Sequence, residues 1–293
     1  MRLPLRLGTG FLPAVRPRLV AADLDGTLLP LHGEPSSEMA VALAALAASG
    51  VRVVICTGRM FQSARRVAAL LGIVDGTVVC YQGALVADLA DGRQLRHRPV
   101  PASVAASVVR FARARDRHVN AFVDDQLHVE RLDAWTRLYV QRTGVDYILD
   151  DDLEHLVQST APDKLLLMTA DADAVSLLPE LRERWKDELA ISLSQPGYVE
   201  ITASTATKRS ALEFLGRHWG VGRARSVACG DGMNDVDMLE WAGFAVAMAE
   251  GARCVWQAAD VVMPQTELAS FLLRLSALPW ERACDAGEPP AGP

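Results

Sequence analysis

This 293-residue chain has no apolar run of the roughly 18 residues that a membrane-spanning helix requires, so no membrane partner is expected. Excess positive charge is missing too: 30 Lys and Arg against 36 Asp and Glu give a formal net charge of −6. A nucleic-acid binder would show a basic face, and none is expected here. Cysteine is scarce. The five present, Cys56, Cys80, Cys229, Cys254 and Cys284, have neither zinc-ligand spacing nor a disulfide framework. Cys56, Cys80 and Cys229 stand near the ends of predicted strands, where a thiol serves as a small apolar side chain. A role for them in reporting oxidation would need exposure and a lowered pKa. The six histidines, His32, His97, His118, His128, His155 and His218, are scattered, which speaks against a histidine metal centre. The first 18 residues carry four arginines and no acid, as a targeting leader does, yet three prolines interrupt them and no apolar core follows. A flexible extension over 1–17, a disordered Pro, Gly and Ala rich tail over 279–293, and a cytoplasmic location are the expectation.

What is present is a repeated pattern. LVAADLDGT at 19–27 is an apolar run that ends abruptly in Asp23 and Asp25, followed by Gly26 and Thr27. Residues 20–22 read as a buried parallel strand, whose carboxyl end opens into the crevice where α/β sheets bind ligands. A turn through Gly26 brings both acids to one place, and two close carboxylates imply a cation or a shared proton. VRVVIC at 51–56 likewise ends in Thr57-Gly58-Arg59, and SVAC at 226–229 ends in GDGMND at 230–235. Lys208 opens an amphipathic stretch over 208–219, with Thr205 or Thr207 as its N-cap. Three strands ending in short polar residues line up those side chains along one sheet edge, where a phosphate and a metal would sit.

This ordered set resembles the haloacid dehalogenase-type phosphohydrolases, and within them the Cof-type sugar-phosphatase branch. The resemblance rests on DLDGT at 23–27, TGR at 57–59, YQGALV at 81–86, Lys208, GDGMND at 230–235, AGFAVAM at 242–248 and AADVVM at 258–263, and it covers roughly 18–275. It implies an α/β fold: a Rossmann-like parallel sheet core over 18–84 and 196–278, with an inserted α+β cap domain over 85–195. Apolar residues make up 50% of the chain, enough for two such cores at this length. Three positions depart from the usual pattern: Gln82 stands where Asn is common, Arg209 where Gly is common, and Ala249-Glu250-Gly251 where Gly-Asn-Ala is common. None touches the proposed nucleophile or acid/base.

Under this resemblance the expected chemistry is Mg2+-dependent hydrolysis of a small phosphorylated metabolite through an aspartyl-phosphate. Asp23 is the nucleophile, already ionised at neutral pH. Asp25 is the acid and then the base, with its pKa raised by carboxylate neighbours. Thr57, Gly58, Lys208 and Asn234 bind phosphate, by hydroxyl, backbone N–H, point charge and amide. Mg2+ takes the Asp23 carboxylate, the Asp25 backbone carbonyl and Asp231, with Asp235 orienting the ligands from behind. A phosphomutase of related architecture, marked by activation with a sugar bisphosphate, and a non-catalytic phospho-ligand module are the alternatives.

The inserted region is less explicit. Its pattern predicts a hairpin over 84–98 about Asp91-Gly92, helices at 102–115, 133–142, 152–158 and 172–187, and strands at 119–123, 126–130, 146–149, 164–169 and 190–194. The Asp150-Asp151-Asp152 run reads as the charged start of a helix rather than a second metal site. Trp135 and Tyr139, at i and i+4, read as packing aromatics before sugar-stacking ones. Arg96, His97, Arg98, Arg137 and Arg142 read as a solvated face before an anion-facing one.

Overall fold

The computed structural model describes residues 6–8, 10–31 and 33–278. Along the chain, β1 (Arg6–Leu7) is followed by β2 (Leu19–Ala22), α1 (Ser37–Ala48), β3 (Arg52–Cys56), α2 (Phe61–Leu70), β4 (Thr77–Cys80), β5 (Leu85–Asp88) and β6 (Gln94–His97). A second run holds α3 (Ala102–Arg113), β7 (His118–Val123), β8 (Gln126–Val129), α4 (Ala134–Thr143), β9 (Tyr147–Leu149), α5 (Leu153–Ser159), β10 (Lys164–Met168), α6 (Asp171–Arg184), β11 (Leu189–Gln195) and β12 (Tyr198–Ala203). The chain closes with α7 (Lys208–Trp219), β13 (Ser226–Gly230), α8 (Val236–Trp241), β14 (Phe244–Met248), α9 (Arg253–Gln257), β15 (Val261–Met263) and α10 (Leu268–Ala277). No described helix is long and apolar enough to cross a membrane.

The first sheet has the order β1-β15-β14-β13-β2-β3-β4-β5-β6, parallel from β1 to β4 and antiparallel beyond. This is the Rossmann-like α/β class expected from the sequence. Strand order reverses beside β2, which lies between β13 and β3, so their carboxyl ends meet at the switch point where such sheets bind ligands. β2 shows why the run LVAA forms a central strand. Val20 and Ala22 face a layer that includes Leu43 and Phe271, while Leu19 and Ala21 face one that includes Leu212 and Met238. All four are buried, so both faces select apolar residues.

The second sheet has the order β11-β12-β10-β7-β8-β9, antiparallel except for the β8–β9 pair. One of its faces packs against α3, α5 and α6 through residues such as Val109, Val157 and Leu181. The other face carries Phe122, Leu166, Met168 and Tyr198 into the same apolar cluster as the first sheet.

Sheet membership moves both edges of the insert expected over 85–195. The hairpin of β5 and β6 pairs with β4 in the first sheet, through Val79↔Val86 and Cys80↔Leu85. A hairpin signature says that two strands pair, but not which sheet they extend. At the other end, the Pro196-Gly197 turn does not divide domains: it joins β11 to β12, and β12 pairs with β10 in the second sheet. The chain therefore crosses between sheets after His97 and after Ala203.

The expected N-terminal extension also changes. Arg6 and Leu7 pair in parallel with Val261 and Val262, and Gly8 N–H donates to Val262 O at 3.0 Å. A short edge strand needs little more than free carbonyls on its neighbour, which composition does not reveal. Residues 1–5, the tail 279–293, His32 and Cys284 lie outside the described residues.

Candidate active site

The loops after β2, β3 and β13, together with the first turn of α7, converge on one cluster. Asp23 continues the ladder, its N–H donating to Cys229 O at 3.0 Å, and its carboxyl projects beyond the strand. Thr207 caps α7 with its side chain, as one of the two expected candidates, and so fixes Lys208 at the helix start. Lys208 Nζ donates to Asp23 Oδ1 and to Asp235 Oδ1, each at 2.6 Å. The other Asp235 oxygen accepts from the backbone N–H of Asp231 at 3.1 Å and of Gly232 at 2.9 Å. Asp231 Oδ1 accepts from the Thr27 hydroxyl at 2.9 Å.

Gly26 is required where it stands. Its φ is +82°, and a Cβ there would sit 2.3 Å from Asp231 Oδ2. The side chain of residue 26 is thus traded for the close approach of Asp231. Gly26→Ala is expected to cost about 1–3 kcal/mol of stability from backbone strain alone, read as a lower urea midpoint with unchanged slope. An unchanged midpoint would mean that the loop and Asp231 have another arrangement available.

Electrostatics follow from crowding. Asp23 is 6% exposed and Lys208 1%. Burial pushes the Asp23 carboxyl well above the usual range; Lys208 opposes this, while Asp235, Asp231 and Asp25 add to it. Asp231 is pushed up to about 6, by burial and then by Asp235, with the Thr27 hydrogen bond opposing. Burial alone would lower the Lys208 ammonium, but Asp23 and Asp235 outweigh it and hold the group above its ordinary value. Two carboxylates, Asp23 and Asp235, therefore share one ammonium, with Asp231 close beside them.

Asp23, Asp231 and Asp235 offer oxygens that all lie within 4.8 Å of one another. Hard oxygen donors at that spacing suit a divalent cation such as Mg2+. Asp235 already has both oxygens engaged, so Asp23 and Asp231 have more capacity left for a metal.

Asp25 does not join that cluster with its side chain. Arg59 Nε donates to Asp25 Oδ2 at 2.8 Å and Arg59 Nη2 donates to Oδ1, a two-point pair. A guanidinium, rather than further carboxylates, is thus its immediate side-chain neighbour. In the sequence, Arg59 stands out only as part of TGR. The available signal was a cation two residues beyond the candidate phosphate-binding Thr57.

Thr57 is buried, and its hydroxyl oxygen accepts from Arg59 N–H at 3.1 Å, leaving its proton for a ligand. A Cβ at Gly58 would lie 2.4 Å from Gln82 Nε2, so the Gln82 amide would have to shift to admit one. Asn234 Nδ2 donates to Gln82 Oε1 at 3.0 Å. Gln82, noted only as a departure from pattern, therefore ties the loop after β3 to the loop after β13.

The remaining candidates separate. Arg96 Nη2 donates to Thr205 O at 2.8 Å and to Ser210 Oγ at 3.0 Å, bracing the return to α7. His97 Nε2 meets Asp163 Oδ1 at 2.6 Å. Asp152 caps α5, accepting from His155 N–H at 3.2 Å, in keeping with a charged helix start. Tyr139 is buried between Phe122 and Tyr198 as a packing aromatic, with ring centroids 5.9 Å and 6.3 Å away. Cys56, Cys80 and Cys229 are fully buried, and burial pushes their thiols up, Cys229 to about 12. They are poor thiolates and serve the sheet as small apolar residues.

A family profile described as haloacid dehalogenase-like hydrolase matches residues 20–271. The HMP-PP phosphatase of Serratia proteamaculans is similar over 240 residues at 28% identity, across 79% of this chain and 83% of that protein. Among solved structures, TM0651 from Thermotoga maritima has a TM-score of 0.77 at 29% identity, covering 89% of this chain and 97% of its own. The HAD subclass IIB sugar phosphatase BT4131 shares the fold with a TM-score of 0.74 at 20% identity, over 87% of this chain and 96% of its own.

Proposed function

Because the chain belongs to the haloacid dehalogenase-like hydrolase family, we propose that it is a phosphatase acting on the phosphomonoester of a small metabolite, such as a sugar phosphate. The carrying observation is Asp23, placed at the end of a central strand and held by Lys208 beside Asp231 and Asp235. A similar HMP-PP phosphatase and a sugar phosphatase of the same fold support the class of substrate.

Lys208 holds Asp23 Oδ1, so Oδ2 is the oxygen that attacks phosphorus. The new P–O bond forms as the bond to the leaving alkoxide breaks, giving an aspartyl-phosphate. Asp25 in its protonated form, with Arg59 holding only the oxygen that carries no proton, delivers that proton to the leaving oxygen and later takes one from the attacking water, which returns Asp23 and releases phosphate. Two of the three Lys208 donors are used by Asp23 and Asp235, and the third serves a phosphoryl oxygen. The Thr57 hydroxyl and the backbone at Gly58 serve others, with Asn234 on the opposite side. When bound, Mg2+ on the Asp23 and Asp231 carboxylates and the Asp25 carbonyl supplies the charge neutralisation that lets an anion approach a phosphate. Asp235 keeps both Lys208 and the loop after β13 in place for this.

Phosphate release from a panel of hexose and pentose phosphates, flavin mononucleotide and pyridoxal phosphate tests the reading, with Mg2+ and with chelator. Release that requires the metal is expected, and its ranking identifies the leaving group. Folded, metal-supplied protein that releases phosphate from none of them would overturn the proposal.

A further inference from the structure

Residues 57–60 link the carboxyl end of β3 to α2, and they and the first two residues of α2 are gripped by the inserted domain. The N-cap residue of α2, Met60, makes no side-chain cap bond, and the first turn holds no acid. The missing cap comes from Asp125, at the tip of the β7–β8 hairpin in the second sheet. Asp125 Oδ1 accepts from Phe61 N–H at 2.8 Å and Oδ2 from Gln62 N–H at 2.9 Å. The Tyr81 hydroxyl donates to Oδ1 at 2.5 Å, and Gln62 Nε2 donates to the Asp125 carbonyl at 2.6 Å. Asp124 and Asp125 have φ of +50° and +58°, left-handed values that aspartate tolerates better than most residues.

A second grip lies at the other end of the loop. Lys164 of β10 donates from Nζ to Gly58 O at 2.9 Å and pairs with Glu200 Oε2 at 2.8 Å, and both side chains are buried. Between the two grips stands Arg59, whose carbonyl accepts from Tyr81 N–H at 3.1 Å and whose guanidinium holds Asp25. The segment that orients Thr57 and Asp25 is thus fixed at Gly58 and at Phe61-Gln62 by side chains of the other sheet.

We propose that Asp125 and Lys164 are positioning residues: docking of the inserted domain on segment 57–62 sets Thr57, and through Arg59 sets Asp25, for reaction. This rests on the phosphatase reading for its catalytic half, whereas the docking itself stands on the contacts alone. A simple tie between domains would stabilise the protein equally well but would not govern turnover.

The test compares Asp125→Ala, Asp125→Asn and Lys164→Met with Asp152→Ala, which removes a side-chain helix cap on α5 without touching the loop. Steady-state kinetics on the best substrate of the panel are read beside amide hydrogen exchange over 57–66. Asp125→Ala and Lys164→Met are expected to lower kcat by ~10–100-fold with a smaller change in KM, as misplacement of reacting groups does. Exchange at Phe61 and Gln62 should quicken by about five-fold in Asp125→Ala, the loss of one cap. Asp125→Asn, which keeps an acceptor oxygen, should recover part of kcat, and Asp152→Ala should keep kcat within about two-fold despite the loss of its own cap. An unchanged kcat in folded Asp125→Ala, or an equal loss in Asp152→Ala, overturns the proposal. If the wild type turns over nothing, the phosphatase reading fails and exchange alone decides docking: faster exchange at Phe61 and Gln62 supports it, and unchanged exchange overturns it.

Discussion

Asp23→Asn is expected to lower turnover by ~10³-fold or more, the scale seen when an acting nucleophile is removed, without loss of fold. The asparagine amide has nearly the shape of the carboxylate, and its oxygen can still accept from Lys208, but it cannot form an acyl phosphate that water then cleaves. Stability should move the other way. In the metal-free protein the Asp23 carboxyl is pushed well above the usual range, by burial first and by neighbouring acids. A folded-state pKa above the unfolded value stabilises below the unfolded pKa, and that benefit is lost as pH rises through the folded one. At pH 7.5, above the unfolded value, that benefit is reduced, so the neutral amide should leave the metal-free urea midpoint equal or higher. Phosphate release and urea unfolding in chelator check the two halves. Normal turnover sinks the nucleophile assignment, and a markedly lower midpoint means that the Lys208 attraction outweighs burial and repulsion.

That opposition between function and stability also explains what the sequence makes legible. Asp23, Asp231, Lys208 and Thr57 each follow directly on an apolar run or open a capped helix, so pattern alone places them on one sheet edge. The pairing of Arg59 with Asp25 spans 34 positions, and that of Asp125 with Phe61 spans 64. No local periodicity encodes such contacts. The Asp124-Asp125 turn is visible as a turn, but its use as a cap for a helix in another sheet depends on where the two sheets meet. The hairpin of β5 and β6 is of the same kind: its local form is readable, whereas the sheet that receives it is set by packing. Gln82 reads as a departure from a family pattern until Gly58 is seen to leave room for its amide.

Lys208→Met is expected to be costly for both folding and turnover. The ammonium is fully buried and is the one cation within hydrogen-bond distance of both Asp23 and Asp235 among the described residues. Removing it leaves close carboxylates with no counter-charge in a site that excludes water, a loss of about 3–5 kcal/mol for a buried pair broken on one side. Methionine keeps the apolar stem of lysine and is shorter only by the ammonium itself, so the effect reports mainly the lost charge. Turnover should fall by ~10²–10³-fold or more, because a donor aimed at the phosphoryl oxygens is lost as well. Two controls separate these causes. Adding Asp235→Asn to Lys208→Met removes one stranded carboxylate and should restore part of the urea midpoint without restoring turnover. Mg2+ should raise the midpoint of Lys208→Met more than that of the wild type, since a cation then replaces the missing ammonium. If Lys208→Met unfolds at the wild-type midpoint and responds to Mg2+ no more strongly, the buried ion pair is not what holds the ends of β2 and β13 to α7, and Lys208 must act on the phosphate alone.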